Sequence, residues 1–88
     1  MDCLYTVWFR DPDALPEDED YEWPACFILT APTLDKALEW GNYLAIGFAK
    51  KSKNLFLKSG IEKANETKTK DLPIIKYGYY ASDEEIGW

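Results

Sequence analysis

The chain opens on a short apolar run, Cys3–Arg10, in which Tyr5, Val7, Trp8 and Phe9 all favour a strand. The pattern breaks from Asp11 to Glu22, where two prolines and seven acids stand without apolar period, so this stretch predicts a loop. A second apolar run, Trp23–Thr30, carries Phe27, Ile28 and Leu29. Two such runs joined by a polar connection predict an antiparallel hairpin.

The period then changes. Leu34, Ala37, Leu38, Gly41, Leu44, Ala45 and Phe48 repeat at helical spacing and form one apolar stripe, which predicts a helix over about Leu34 to Ser52. Thr33 is placed to cap it, and Asp35 in the first turn and Lys50, Lys51 and Lys53 at the end suit the two poles of the macrodipole. Gly41 lies in the stripe although glycine costs ~1 kcal/mol in a helix interior. The physical reason expected is steric, a helix lying close against a sheet.

Beyond the helix, Asn54–Leu57, extending toward Lys63, predicts a third strand, with Ser59-Gly60 as a bulge or break. Asn65 to Asp71 is polar and turn-like. Leu72–Tyr79 predicts a fourth strand, and Pro73, which has no ladder donor, must begin it or lie at an edge. The expected fold is α+β, one domain over residues 1–88. It is a mainly antiparallel four-stranded sheet with one helix packed on one face, in the chain order β-β-α-β-β. One helix covers only one face of such a sheet. The other is expected to meet a partner or a second copy in a homodimer, unless the acidic loop and the tail, with Leu15, Tyr21, Ile86 and Trp88, fold over it.

Composition sharpens this picture. In 88 residues there are 47% hydrophobic and 16% aromatic positions, enough for a core in a small domain. The net charge of -6 is unevenly spread: about -8 over residues 1–49, +5 over 50–76 and -3 over 77–88. The acidic balance disfavours nucleic acid and anionic membrane as partners, and the lysine-rich stretch holds no arginine, the better phosphate ligand. No run approaches the roughly 20 apolar residues of a membrane span, and no signal peptide is visible at the N-terminus, so a cytoplasmic location is expected.

Candidate chemistry is sparse. There is no histidine, which removes Ser-His and Cys-His activation and the commonest metal ligand. The five glycines, at 41, 47, 60, 78 and 87, form no phosphate loop. Cys3 and Cys26 are expected as free thiols, because opposing them across the hairpin would pull acidic loop residues into the ladder. The acidic loop lacks the alternating ligands, glycine and closing glutamate of a calcium loop. No enzymatic activity, metal or cofactor is therefore expected.

What remains is recognition. Asp11, Asp13, Glu17, Asp18, Glu19 and Asp20 form an acidic surface flanked by Tyr21 and Trp23, and aromatics beside charges are the usual make-up of an interface. Trp40 and Tyr43 add a second aromatic pair on the helix face away from the stripe, near Lys36 and Gly47. The expectation is a small acidic protein-binding domain, such as an immunity protein or antitoxin-like inhibitor steered onto a basic toxin or enzyme. The alternative is a homo-oligomeric small-molecule-binding or housekeeping domain. Over about half the chain, Tyr5, Pro24, Cys26, Thr33, Ala37 and Leu38 resemble the hairpin-then-helix pattern of HicB-type antitoxins. The turn glycine of that pattern before the cysteine is absent, and no DNA-binding segment follows within these residues.

Overall fold

The computed structural model describes residues 1–13, 22–65 and 71–88. Two nine-residue strands, β1 (Asp2–Arg10) and β2 (Glu22–Thr30), pair antiparallel over their full length, with Tyr5 opposite Phe27 and Arg10 opposite Glu22. The helix α1 spans Leu34–Ser52, and the hydroxyl of Thr33 caps it by accepting from the Lys36 N–H at 3.1 Å. It ends where Lys53 enters the left-handed region at φ 61° and its N–H bonds the Ala49 carbonyl. β3 (Leu55–Lys63) runs antiparallel to β1, β4 (Ile74–Lys76) follows, and a one-turn helix α2 (Asp83–Ile86) closes the chain.

The four strands form one sheet with one main helix on it, an α+β arrangement, but two expectations need correction. The sheet is mixed rather than mainly antiparallel, because β4 pairs parallel to β2, Ile28 to Ile74 and Leu29 to Ile75. Side by side the strands run β3-β1-β2-β4, so the third and fourth strands lie on opposite edges, and a second helix extends the expected β-β-α-β-β series. The physical reason is that direction is set by tertiary pairing and not by local pattern: β4 joins the edge far from β3, alongside the last three residues of β2. β4 is also shorter than expected, beginning after Pro73, whose carbonyl accepts from the Ile28 N–H at 2.8 Å. The irregularity in β3 falls at Leu57, opposite the Trp8–Phe9 step, not at Ser59-Gly60.

Alternation along β1 sets the core. Cys3, Tyr5, Val7 and Phe9 face α1 and are fully buried, while Leu4, Thr6, Trp8 and Arg10 between them are half-buried on the other face. α1 meets this layer through Ala37, Gly41, Ala45 and Ala49, one residue per turn and all small. A Cβ on Gly41 would stand 2.6 Å from Cε1 and 2.8 Å from Cγ of Tyr5, so only glycine lets the helix seat there. The Tyr5 ring cannot step aside. Its hydroxyl donates to Asn42 Oδ1 at 2.8 Å, and its ring centroid lies 5.1 Å from that of Phe27, the two planes tilted by 51°. Ser59 of β3 donates to the same Asn42 oxygen at 2.6 Å, which ties β1, α1 and β3 at one point. Burial pushes the Tyr5 phenol well above its ordinary value, so the donor stays protonated.

The flanks of that narrow seam are filled by rings. Phe9 gathers Trp23, Phe48, Phe56 and Trp88 with centroids at 4.8 to 6.4 Å, and Trp88 stacks on Phe48 at 5.1 Å. Among the described residues, no helix is long and apolar enough to cross a membrane.

Gly41→Ala is expected to destabilise the protein by about 1–3 kcal/mol, the overpacking cost outweighing the gain in helix propensity. Tyr5→Phe should cost about 1 kcal/mol through the lost hydrogen bond. Urea unfolding measures both, and a Gly41→Ala protein as stable as the parent would mean that the helix does not seat on Tyr5.

Candidate partner-binding surface

β4 delivers the chain to the start of α1. Tyr77 N–H bonds the Thr30 carbonyl at 2.9 Å, and the chain then reverses at Gly78, φ 84°, with Tyr79 N–H bonding the Lys76 carbonyl at 3.0 Å. From there residues 79–88 run along the flank of α1. Trp40 Nε1 donates to the Tyr79 carbonyl at 3.2 Å, and further on Lys51 pairs with Asp83 at 2.9 Å. Ser82 and Glu85 form a reciprocal capping box that starts α2, and Ile86 is thereby buried against the core.

This path builds an aromatic patch on the helix flank. Trp40 and Tyr43 stack at 5.0 Å, and Tyr77 and Tyr80 meet Trp40 edge-on at 5.7 and 5.1 Å. Trp40 is half-buried, whereas Tyr43 is 57% and Tyr80 70% exposed, so the patch presents its rings to solvent. Beside it runs an open groove of about 580 Å³ between α1 and the tail, lined by Tyr43, Gly47, Phe48, Tyr80, Ala81 and Ile86. Gly47 lies in that groove, and among the described residues no atom beyond the adjoining helix backbone and its two chain neighbours comes within 4 Å of where a Cβ would stand. In one helix, Gly41 is required by packing and Gly47 is not.

The electrostatics of the tail are local. The Ser82 backbone N–H holds the Glu85 carboxyl below its ordinary value, helped by hydrogen bonds from the Ser82 and Tyr79 hydroxyls. The Glu85 charge in turn raises the Tyr79 phenol, whose hydroxyl donates to both carboxylate oxygens at 3.2 and 3.3 Å.

The sequence-derived candidates divide into four groups. Trp40 and Tyr43 come together with Tyr77, which the sequence places in the fourth strand, and with Tyr80 just beyond it. The signal for them was Gly78, a turn glycine set among tyrosines. Trp23 lies elsewhere: it is half-buried, 4.8 Å from Phe9 and 6.0 Å from Phe48, and its ring belongs to the core layer. Asp11 and Asp13 sit just past β1, the Asp13 N–H bonding Asp11 Oδ1 at 2.9 Å as the chain leaves the strand. Glu17, Asp18, Glu19, Asp20 and Tyr21 lie outside the described residues. Both cysteines are free; Cys3 is buried with its thiol pushed up by desolvation, and Cys26 contacts the Thr6 hydroxyl at 3.6 Å on the opposite sheet face. Among the described residues, no three Cys, Asp or Glu side chains gather as a metal ion would need.

Comparison with known proteins finds no matching family model, no matching curated protein and no matching solved structure.

The Glu85 shift makes tail docking acid-sensitive. A carboxyl lowered by folding stabilises the folded state above its unfolded value, near 4.5, and that contribution is lost as pH falls through the lower folded value. Trp88 and Ser82 resonances followed through an acid titration should show the tail loosening there. Glu85→Gln should abolish that transition, and an unaltered acid profile in the variant would place its origin elsewhere.

Proposed function

We propose that this chain is a small acidic protein-binding domain that engages its partner through the patch of Trp40, Tyr43, Tyr77 and Tyr80 and the groove beside it. The observation that carries the reading is Gly47. A glycine within a helix costs ~1 kcal/mol against alanine, and at this position no contact among the described residues requires it. Close approach of an outside group to the helix backbone does require it, and the exposed rings beside it supply the anchoring area of an interface hot spot.

Charge selects the partner. The whole chain carries -6, and Asp11 and Asp13 leave β1 at the end of the sheet where Phe9 meets Phe48, while the groove itself is lined by Lys50 and Lys51 against Asp83, so the steering charge belongs to the domain and not to the groove. A basic protein surface is steered toward such a domain and docks faster at low salt. An inhibitor of a basic toxin or enzyme, of the immunity-protein or antitoxin kind and acting in the cytoplasm, fits this combination of small size, acidity and non-catalytic make-up.

The test separates fold from binding. Gly47→Ala should raise stability by up to about 1 kcal/mol while weakening partner capture, and Tyr80→Ala should weaken capture by about 30-fold or more with little loss of stability. Capture from a lysate of the source organism, at low and high salt, identifies the basic protein that elutes with salt; titration calorimetry then compares the variants. Equal affinity for the parent and both variants would remove the groove from recognition.

A further inference from the structure

The two edges of the sheet are treated differently. β4 is three residues long and preceded by Pro73, which leaves little edge to extend. β3 is nine residues long, contains no proline, and among the described residues pairs only with β1. Its irregularity at Leu57 leaves the ladder regular from Lys58 to Lys63. The Ala64 N–H bonds the Asp2 carbonyl, so by antiparallel alternation Gly60 and Glu62 turn their backbone groups inward to β1. Ser59, Ile61 and Lys63 turn theirs outward.

We propose that β3 is the interface with a second copy of this chain, the two β3 strands pairing antiparallel about a two-fold axis at Gly60. In that register Ser59 lies opposite Ile61 of the second copy, and their outward N–H and C=O groups bond each other. Lys58 lies opposite Glu62 of the second copy, and the axis repeats the pair. Both residues sit on the face away from α1, as their partners Trp8 and Leu4 show, and neither makes an ion pair within its own chain among the described residues. The Lys58 ammonium stands over the Trp8 ring, 5.5 Å from its centroid.

The helix layer agrees with the same axis. The Ser59–Asn42 hydrogen bond of 2.6 Å sets the middle of α1 level with the middle of β3. Leu38 and Ile46 lie one turn either side of Asn42 on that flank, and Ile46 is 42% exposed. About the axis the two α1 helices run antiparallel, so Leu38 faces Ile46 of the second copy. The acidic start of one helix, at Asp35, faces the basic end of the other, at Lys50 and Lys53. The aromatic patch lies on the opposite flank, and pairing through β3 leaves it open on both copies.

A charge-swap series tests the pairing on the whole chain. Sedimentation equilibrium should find the parent a dimer at micromolar concentration, and Lys58→Glu or Glu62→Lys alone, each placing like charges opposite, should raise the dimer dissociation constant about tenfold or more. The double variant K58E/E62K should restore the parent value, and circular dichroism monitors the fold of each variant. A parent that stays monomeric to 100-fold higher concentration overturns the proposal. So does a dimer that both single reversals leave intact, or a double variant as weak as either single one.

Discussion

The structure depends on how closely α1 approaches β1 at Tyr5. Three alanines and Gly41, one per turn, bring the helix down onto the sheet, and the Tyr5 ring occupies the space that a Cβ on residue 41 would take. Such a seam offers little apolar area, because small side chains bury little. The deficit is met at its sides, where Phe9, Trp23, Phe48 and Trp88 close one end of the sandwich. The low seat also brings Asn42 within reach of both Tyr5 and Ser59, so a polar contact fixes the register that the apolar contact permits. A helix held a few ångströms higher would lose that shared acceptor, and the buried Tyr5 hydroxyl would need another.

The parts of this fold legible in the sequence are those encoded by local period and by caps. The stripe from Leu34 to Phe48, the Thr33 cap and the steric role of Gly41 are properties of neighbouring residues, and the helix forms where they place it. The β1 and β2 strands announce themselves by composition. Strand direction is not local: Ile74–Lys76 has the same residues whether it runs with β2 or against it, and only the path of the preceding connection decides. Trp23 shows a second limit. Its place next to a run of acids suggested a surface anchor, yet it alternates on the strand with Ala25 and Phe27, and that period puts it on the core side. Period outweighs neighbourhood on a strand.

The charge blocks of the sequence dissolve on folding in the same way. Arg10 pairs with Glu22 across the hairpin at 3.2 Å, and Lys51 of the basic block pairs with Asp83 of the acidic tail. These pairs are partly exposed, so each contributes little to stability. Their consequence is orientation. The Lys51–Asp83 pair and the Trp40–Tyr79 bond are two points on α1, about three turns apart, and together they lay the tail along the helix rather than across it.

The least legible feature, the parallel β4, is the one that builds the candidate surface. Because β4 runs with β2, it ends beside Thr30 at the start of α1, where the Gly78 turn can send the chain back over the helix. Tyr77 and Tyr80 then fall on Trp40 and Tyr43, and Ile86 and Trp88 reach the core farther on. An antiparallel β4 on the same three residues of β2 would end beside Ile28 with the chain directed back along β2, away from the start of α1. The single parallel pair thus serves two purposes with one short tail: it completes the aromatic core at Phe9, and it leaves four rings gathered and open on the helix flank.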